Sequence, residues 1–189
     1  MATSSQKSAE KWKTKQWFNV HTPKVLGGEV VGEIPALDEK AVLGRVIKVS
    51  MAWITKNPSQ SFMTVGLKVN DANGNSANTS LNYIEQVYSY THSLVRRGSS
   101  IIYTNTKVKD SEGKPFVLKL LAITRHKVAG PKKTLMRKAL DTMCTEYVAQ
   151  KSQDDFVKSV IDGSFQAEGK KVANKIATVG KLEVRKIEF

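Results

Sequence analysis

The chain has 189 residues, with 30 Lys and Arg against 17 Asp and Glu, for a formal net charge of +13. That length fits one domain, or one domain with appendages, and it can bury a sizeable core without staples. A single cysteine, Cys144, excludes an internal disulfide and a cysteine metal cluster, and no run of about 18 apolar residues reads as a membrane span.

Hydrophobic residues make up 40%, below the usual share, and lysine fills much of the gap. So large a surplus of one sign costs self-repulsion. A nucleic acid is the leading reason to tolerate it, an anionic membrane surface the second, and solubility alone the weakest.

The opening MATSSQKSAEKW has no apolar run, so no signal peptide is expected. Residues 1–10 are small and polar and are expected to order only on binding. From Lys11 to Val25 the chain reads KWKTKQWFNVHTPKV. Lys11, Lys13, Lys15 and Lys24 alternate there with Trp12, Trp17 and Phe18. Lysines offer point charges for phosphates, and flat rings offer faces for bases or anchors for the protein's own core. Residues 1–25 are therefore taken as a basic, aromatic arm, and 26–189 as a single domain.

Gly27, Gly28, Gly32 and Pro35 predict turns around a short strand, Val30–Ile34. LGRVIKVSMAW, residues 43–53, is apolar and β-branched and reads as a strand. Met63, Val65, Leu67 and Val69 alternate at period two. Asn73-Gly74 then marks a tight hairpin turn, with a return strand over 76–83. Ile84, Val87, Tyr88, Thr91, Leu94 and Val95 recur at three and four, which predicts a helix over 84–97 stopped by Gly98. A second hairpin turns at Asp110–Lys114, with arms 101–109 and 116–127.

Pro131 opens a helical stretch, 131–180. Met136, Ala139, Leu140, Met143, Tyr147 and Val148 form the stripe of its first helix. Ser152 with Asp155 resembles a capping box for a second, ended by Gly163. A third carries Val172, Ala173 and Ile176 up to Gly180, and 182–189 reads as a terminal strand. Hairpin-linked strands with helices gathered late predict an α+β fold. Short antiparallel strands tend to curl and remove their edges. The expected architecture is therefore an antiparallel β-barrel-like core, with one inserted helix and C-terminal helices.

Chemistry is hard to find. His21, His92 and His126 have no histidine or cysteine at ligand spacing, so no metal is expected. Cys144 falls on the apolar stripe and reads as core. Asp154 and Asp155 fit first-turn helix charges better than a catalytic pair. The segment 27–32 matches neither a dinucleotide fingerprint nor a P-loop. No catalysis and no cofactor are expected.

The cations are more telling. Arg96 and Arg97 would sit in the last turn of the inserted helix, complementing its dipole or meeting RNA. Arg125, His126 and Lys127 end a strand, and Lys132, Lys133, Arg137 and Lys138 follow around the next helix start. Lysines in a first turn oppose the dipole at a cost of about 0.3–1 kcal/mol, which a bound phosphate would remove. Lys170, Lys171 and Lys175 read as a solvated face first.

Several separated segments resemble one family in order. KWKTKQWFNVHTPKV, GEVVGEIP, LGRVIKVS, HSLVRRGSSI, GPKKTLMRKALDTM and LEVRKIEF are similar to the archaeal and eukaryotic small-subunit ribosomal protein e-S-one (S-three-A-e) family. The likeness runs from about Lys11 to Phe189, with a length like that of the archaeal form. The chain departs at Gly98-Ser99-Ser100, where the family favours an arginine-rich turn, and at Val179–Leu182, where a Tyr-Pro-Leu-like step is common.

The resemblance implies a structural constituent of the small ribosomal subunit, cytoplasmic and ribosome-bound. It would bind rRNA on the platform near the mRNA exit site, beside neighbouring small-subunit proteins and close to mRNA, with no membrane partner. The RNA contacts implied are Lys11, Trp12, Lys13, Lys15, Trp17, Lys24, Arg96, Arg97, Arg125, Lys127, Lys132, Lys133, Arg137 and Lys138. A free single-strand RNA-binding barrel is the alternative, though no RRM-type aromatic signature is visible.

Overall fold

The computed structural model describes residues 15–189, which fall into two compact units divided between Asn82 and Tyr83. Residues Lys11, Trp12 and Lys13 lie outside the described residues.

In the first unit, β1 (Gln16–His21) pairs antiparallel with β2 (Val30–Ala36). The strand β3 (Val46–Ser50) pairs antiparallel with β4 (Met63–Asn73). The start of β5 (Ser76–Gln86) pairs with both β1 and β4, giving the order β2-β1-β5-β4-β3. Alternation decides what each strand buries. Phe18 and Val20 of β1, Ile34 and Ala36 of β2, Val69 of β4 and Ala77 of β5 share one buried cluster, with Val42 and Ile47 packed in. The sheet curls about this core without closing, so the unit is barrel-like rather than a barrel. Pro35 is tolerated because β2 is an edge strand.

Gly74, at φ 58°, makes the β4–β5 turn, as the Asn-Gly signal requires. Two details differ from the reading of the sequence. The β1–β5 pairing at 19–21 with 76–78 is parallel, not antiparallel. Residues 51–53 do not extend β3; they begin α1 (Met51–Thr55), a short helix that buries Met51 and leaves Trp53 exposed. Their apolar run fits a strand or a helix equally well, and no partner strand continues past Ser50.

The second unit is a two-layer α+β arrangement. The end of β5 pairs with β8 (Val179–Glu188), which pairs with β7 (Pro115–Thr124), which pairs with β6 (Ile101–Lys109), all antiparallel. Asp110 closes the β6–β7 turn, its Oδ1 accepting from the N–H groups of Glu112 and Lys114, with Gly113 at φ 81°. Helices α3 (Gly130–Ala149), α4 (Gln153–Ile161) and α5 (Ser164–Asn174) follow. α3 packs on β6 and α5 on β8, and α5 packs against both α3 and α4.

Ile102, Thr104, Thr106, Val108, Leu118, Leu120 and Ala122 share the face that meets α3, where the Thr106 hydroxyl donates to Asp141. Phe116, Phe156, Phe165 and Tyr147 complete this core with ring centroids 5.1–6.4 Å apart. Ser152 caps α4, accepting from the Asp155 N–H as the box predicts. Cys144 is fully buried.

The inserted helix is shorter than expected. β5 runs on to Gln86, and only α2 (Tyr88–Ser93) is helical. Ile84 and Glu85 pair with Ile187 and Lys186, so a tertiary ladder overrides a period the sequence shared between both structures. Arg96 and Arg97 consequently lie beyond the helix, in the turn of Gly98. The β7 strand stops at Thr124, three residues early, where Arg125–Lys127 bend away. The last strand begins at Val179, so Gly180 belongs to a strand and does not end a helix.

Candidate nucleic-acid interface

The face of the second unit's sheet turned away from α3–α5 carries Tyr103 on β6, Lys119, Leu121 and Ile123 on β7, and Lys181 and Glu183 on β8. The α2 segment and the loop after it lie on this face and shape two grooves against it.

One groove is lined by Arg96, Ser99, Arg125, Gly180 and Lys181 over Ile123 and Thr124. Three chain segments far apart in sequence meet there. Thr124 is the fastener. Its N–H donates to Ser100 O at 3.0 Å, its Oγ1 accepts from the Ser100 N–H at 3.0 Å, and its hydroxyl donates to His126 O at 2.7 Å. The Arg125 N–H donates to Thr178 O at 3.0 Å, tying the same bend to the start of β8. Val179 pairs with Thr124 and Lys181 with Ile123, which leaves Gly180 as the extra residue of a β-bulge. A Cβ at Gly180 would lie 3.4 Å from Ile123 O and 3.7 Å from Arg125 Cγ, which is ordinary contact, so the bulge sits directly beside the Arg125 side chain without demanding glycine. The Lys181 ammonium is held beside Tyr90, 3.3 Å from its hydroxyl, and that hydroxyl lies 3.1 Å from Glu183.

A second cationic groove continues from the same bend. His126, Lys127 and Lys132 line it, with Val128, Ala129 and 176–178. It includes the first turn of α3, whose N-cap, Ala129, supplies no side-chain cap. Unfilled N–H groups and lysines therefore converge, which is the composition of an anion site. Among the described residues, Arg96, Arg97, Arg125, Lys127, Lys132, Lys133 and Lys138 form no ion pair. Their charge is not consumed within the protein.

The structure thus brings Arg96, Arg125, Lys127 and Lys132 to adjoining grooves. Arg97 is exposed in the same loop, and Lys133 is half-buried in the helix start. Arg137 reaches the sheet edge instead, its Nε donating to Tyr103 O at 3.3 Å, and Lys138 is exposed but lines neither groove. Lys15, Trp17 and Lys24 belong to the first unit: Lys15 is half-buried, Lys24 exposed, and Trp17 57% exposed on β1 while Phe18 faces the core. Of this pair of rings, Phe18 packs into the core and Trp17 does not. Sequence reasoning missed Lys181 and Gly180, and no local signal identifies them, because the β7–β8 register places them.

Elsewhere the chemistry is structural. Burial, aided by the charge of Asp141, pushes the Cys144 thiol up to about 12, so it stays protonated. The carboxyl of Glu188 is held low, chiefly by hydrogen bonds from Lys119 and Lys186, both at 2.9 Å. Among the described residues no group of three or more His, Cys, Asp or Glu could hold a metal, and no helix is long and apolar enough to cross a membrane.

Comparison with known proteins gives one consistent result. The sequence model of the ribosomal S3Ae family matches residues 3–189. The small ribosomal subunit protein eS1 of Pyrobaculum aerophilum is 32% identical over 177 residues, covering 94% of this chain and 80% of that protein. Its counterpart in Methanobrevibacter smithii is 27% identical over 185 residues, covering 98% and 96%. That of Methanococcus vannielii is 26% identical over 187 residues, covering 99% and 85%. This is a family of structural ribosomal proteins rather than enzymes. With a match along nearly its whole length and relatives of the same kind throughout, the chain belongs to the ribosomal S3Ae family, whose role in the small ribosomal subunit is structural.

Proposed function

We propose that this chain is held in the small subunit by rRNA phosphates bound across the adjoining grooves of its second unit. The observation that carries the reading is the convergence of Arg96, Arg125, Lys127 and Lys132 without acidic partners. A protein at +13 that leaves such a cluster uncompensated gains most where a polyanion fills it. Phosphate contacts of this kind fix position and orientation rather than read sequence. Lys11, Trp12, Lys13, Lys15, Trp17 and Lys24 supply a second group of contacts from the N-terminal segment, and Arg97, Lys133, Arg137 and Lys138 flank the grooves. The family likeness supports a place on the platform near the mRNA exit site, among neighbouring small-subunit proteins, in the cytoplasm. Trp53, 76% exposed on α1, is a candidate anchor for one such neighbour.

Sucrose-gradient sedimentation of a lysate tests this. Co-migration with small subunits through a moderate salt wash is expected. Protein found at the top of the gradient, with small subunits assembled without it, would instead favour a free RNA-binding barrel.

A further inference from the structure

The remaining groove differs in kind from the two cationic ones. Its floor is apolar, made by Val95, Ile101 and Leu121, and its walls are rings and cations: Tyr88 and His92 from α2, Tyr103 from β6 and Arg185 from β8. The Tyr88 and His92 rings lie 4.0 Å apart between centroids. The Arg185 guanidinium sits over the Tyr103 ring, 5.5 Å from its centroid. Val184 pairs with Leu120 and Lys186 with Lys119, so Arg185 is the extra residue of a second bulge. Bulges re-aim side chains. Here the bulge aims a guanidinium plane at the groove.

Two large rings stay in water at this place, Tyr88 67% and Tyr103 51% exposed, although an apolar floor lies beside them. No acidic residue lines the groove. Its volume, about 200 Å³, is below the ~300–1,000 Å³ of sites for larger organic ligands and suits one planar ring system.

On the reading that this chain binds rRNA, we propose that this groove receives one unpaired RNA base, stacked against Tyr103 and Tyr88 with Arg185 beside it. Stacking needs no particular base, because each has a π face, and a guanidinium stacks on it as a ring does. Unpaired bases of loops and bulges are the parts of RNA that proteins take up in this way. The position also fits. Thr91, His92 and Val95 line this groove, while Ser93, Leu94 and Arg96 line the neighbouring cationic one. Leu121 and Ile123, in the two floors, are two residues apart on one strand face, about 7 Å. A phosphate on Arg96 or Arg125 would leave its base within reach of Tyr103.

The test uses the full chain and a uridine-rich oligoribonucleotide carrying one 2-aminopurine, whose fluorescence is quenched when it stacks. Wild-type protein is expected to quench the probe. Tyr103→Leu should abolish the quench and weaken oligonucleotide binding at least about 5-fold, while Tyr103→Phe keeps both. Tyr88→Leu, at an exposed helix position, should act as Tyr103→Leu does. Thermal melts equal to wild type separate stacking from folding. If wild type binds small-subunit rRNA but leaves the probe unquenched, or if both leucine variants quench as wild type does, the groove is not a base site and the phosphate reading stands. If wild type binds neither RNA, the phosphate reading falls and the base site falls with it.

Discussion

Replacing Arg96, Arg125, Lys127 and Lys132 together by glutamine removes the cations of the adjoining grooves and leaves the fold alone, because all four side chains are exposed and unpaired. Each phosphate they neutralise would release condensed counterions, and the logarithm of affinity falls against that of salt by about 0.9 per phosphate on a duplex and about 0.7 on a single strand. Four contacts therefore carry a slope of roughly 2.8 to 3.6. Over a fourfold rise in salt, wild type should lose about 50- to 150-fold more affinity than the variant. Filter binding or fluorescence anisotropy with archaeal small-subunit rRNA, taken across a salt series, reads this directly. The comparison of slopes matters more than a single constant, since a variant that is merely less well folded would lower every point and leave the slope unchanged. Parallel lines for the two proteins would refute the reasoning, whatever the offset between them. Lys171→Gln, exposed on α5 and outside both grooves, should leave the slope close to wild type.

Ser152→Ala should cost about 1 kcal/mol in urea unfolding, because the capping hydroxyl serves the Asp155 N–H and no other group replaces it. Glu188→Gln tests a pH dependence. Its carboxyl is depressed in the folded protein, so the stability it contributes is present above the ordinary value of 4.5 and is lost as pH falls through the lower folded value. Because Glu188 and its lysine partners are about one-third exposed, the loss at neutral pH should be no more than about 1 kcal/mol. Wild type and variant should converge in acid, as thermal melts across pH will show. Gly169→Ala should destabilise the protein by at most about 2 kcal/mol in urea unfolding, since the new Cβ would strike the side-chain ends Leu182 Cδ2 and Met143 Cε inside the core and overpacking of this kind costs about 1–3 kcal/mol. The better helix propensity of alanine offsets only about 1 kcal/mol of that cost.

Local signals were enough where one stretch of chain decides its own shape. Asn73-Gly74 made the first hairpin, and Asp110 with Gly113 made the second. Ser152 and Asp155 started a helix, and the stripe of Met136, Leu140, Met143 and Val148 became the buried side of α3. The misreadings fall where two structures suit the same residues and a distant partner chooses. Ile84 and Glu85 fit a helical period until Ile187 and Lys186 claim them for a ladder. Met51–Trp53 fit a strand until the β3–β4 pairing ends at Ser50.

The interface follows the same division, and the difference has a physical cause. Charge is a property of composition, so the cationic run of Arg125, Lys127 and Lys132 was legible in the sequence alone. Convergence is a property of register. Arg96 reaches the groove because α2 is short and its loop is fastened to Thr124 through Ser100. Lys181 and Arg185 reach their grooves because β8 carries one more residue than β7 at each of two places. Removing the extra residue at Gly180 would leave Lys181 opposite Ile123 and Val179 opposite Thr124 in a regular ladder, and would take away the local bend beside Arg125. Deleting Gly180 should therefore lower the salt slope by about 0.7 to 0.9, the share of the one phosphate at Arg125, although it removes no charge. A deletion variant that folds with β8 re-paired and still binds rRNA with the wild-type salt slope would show that the charge acts without regard to its arrangement.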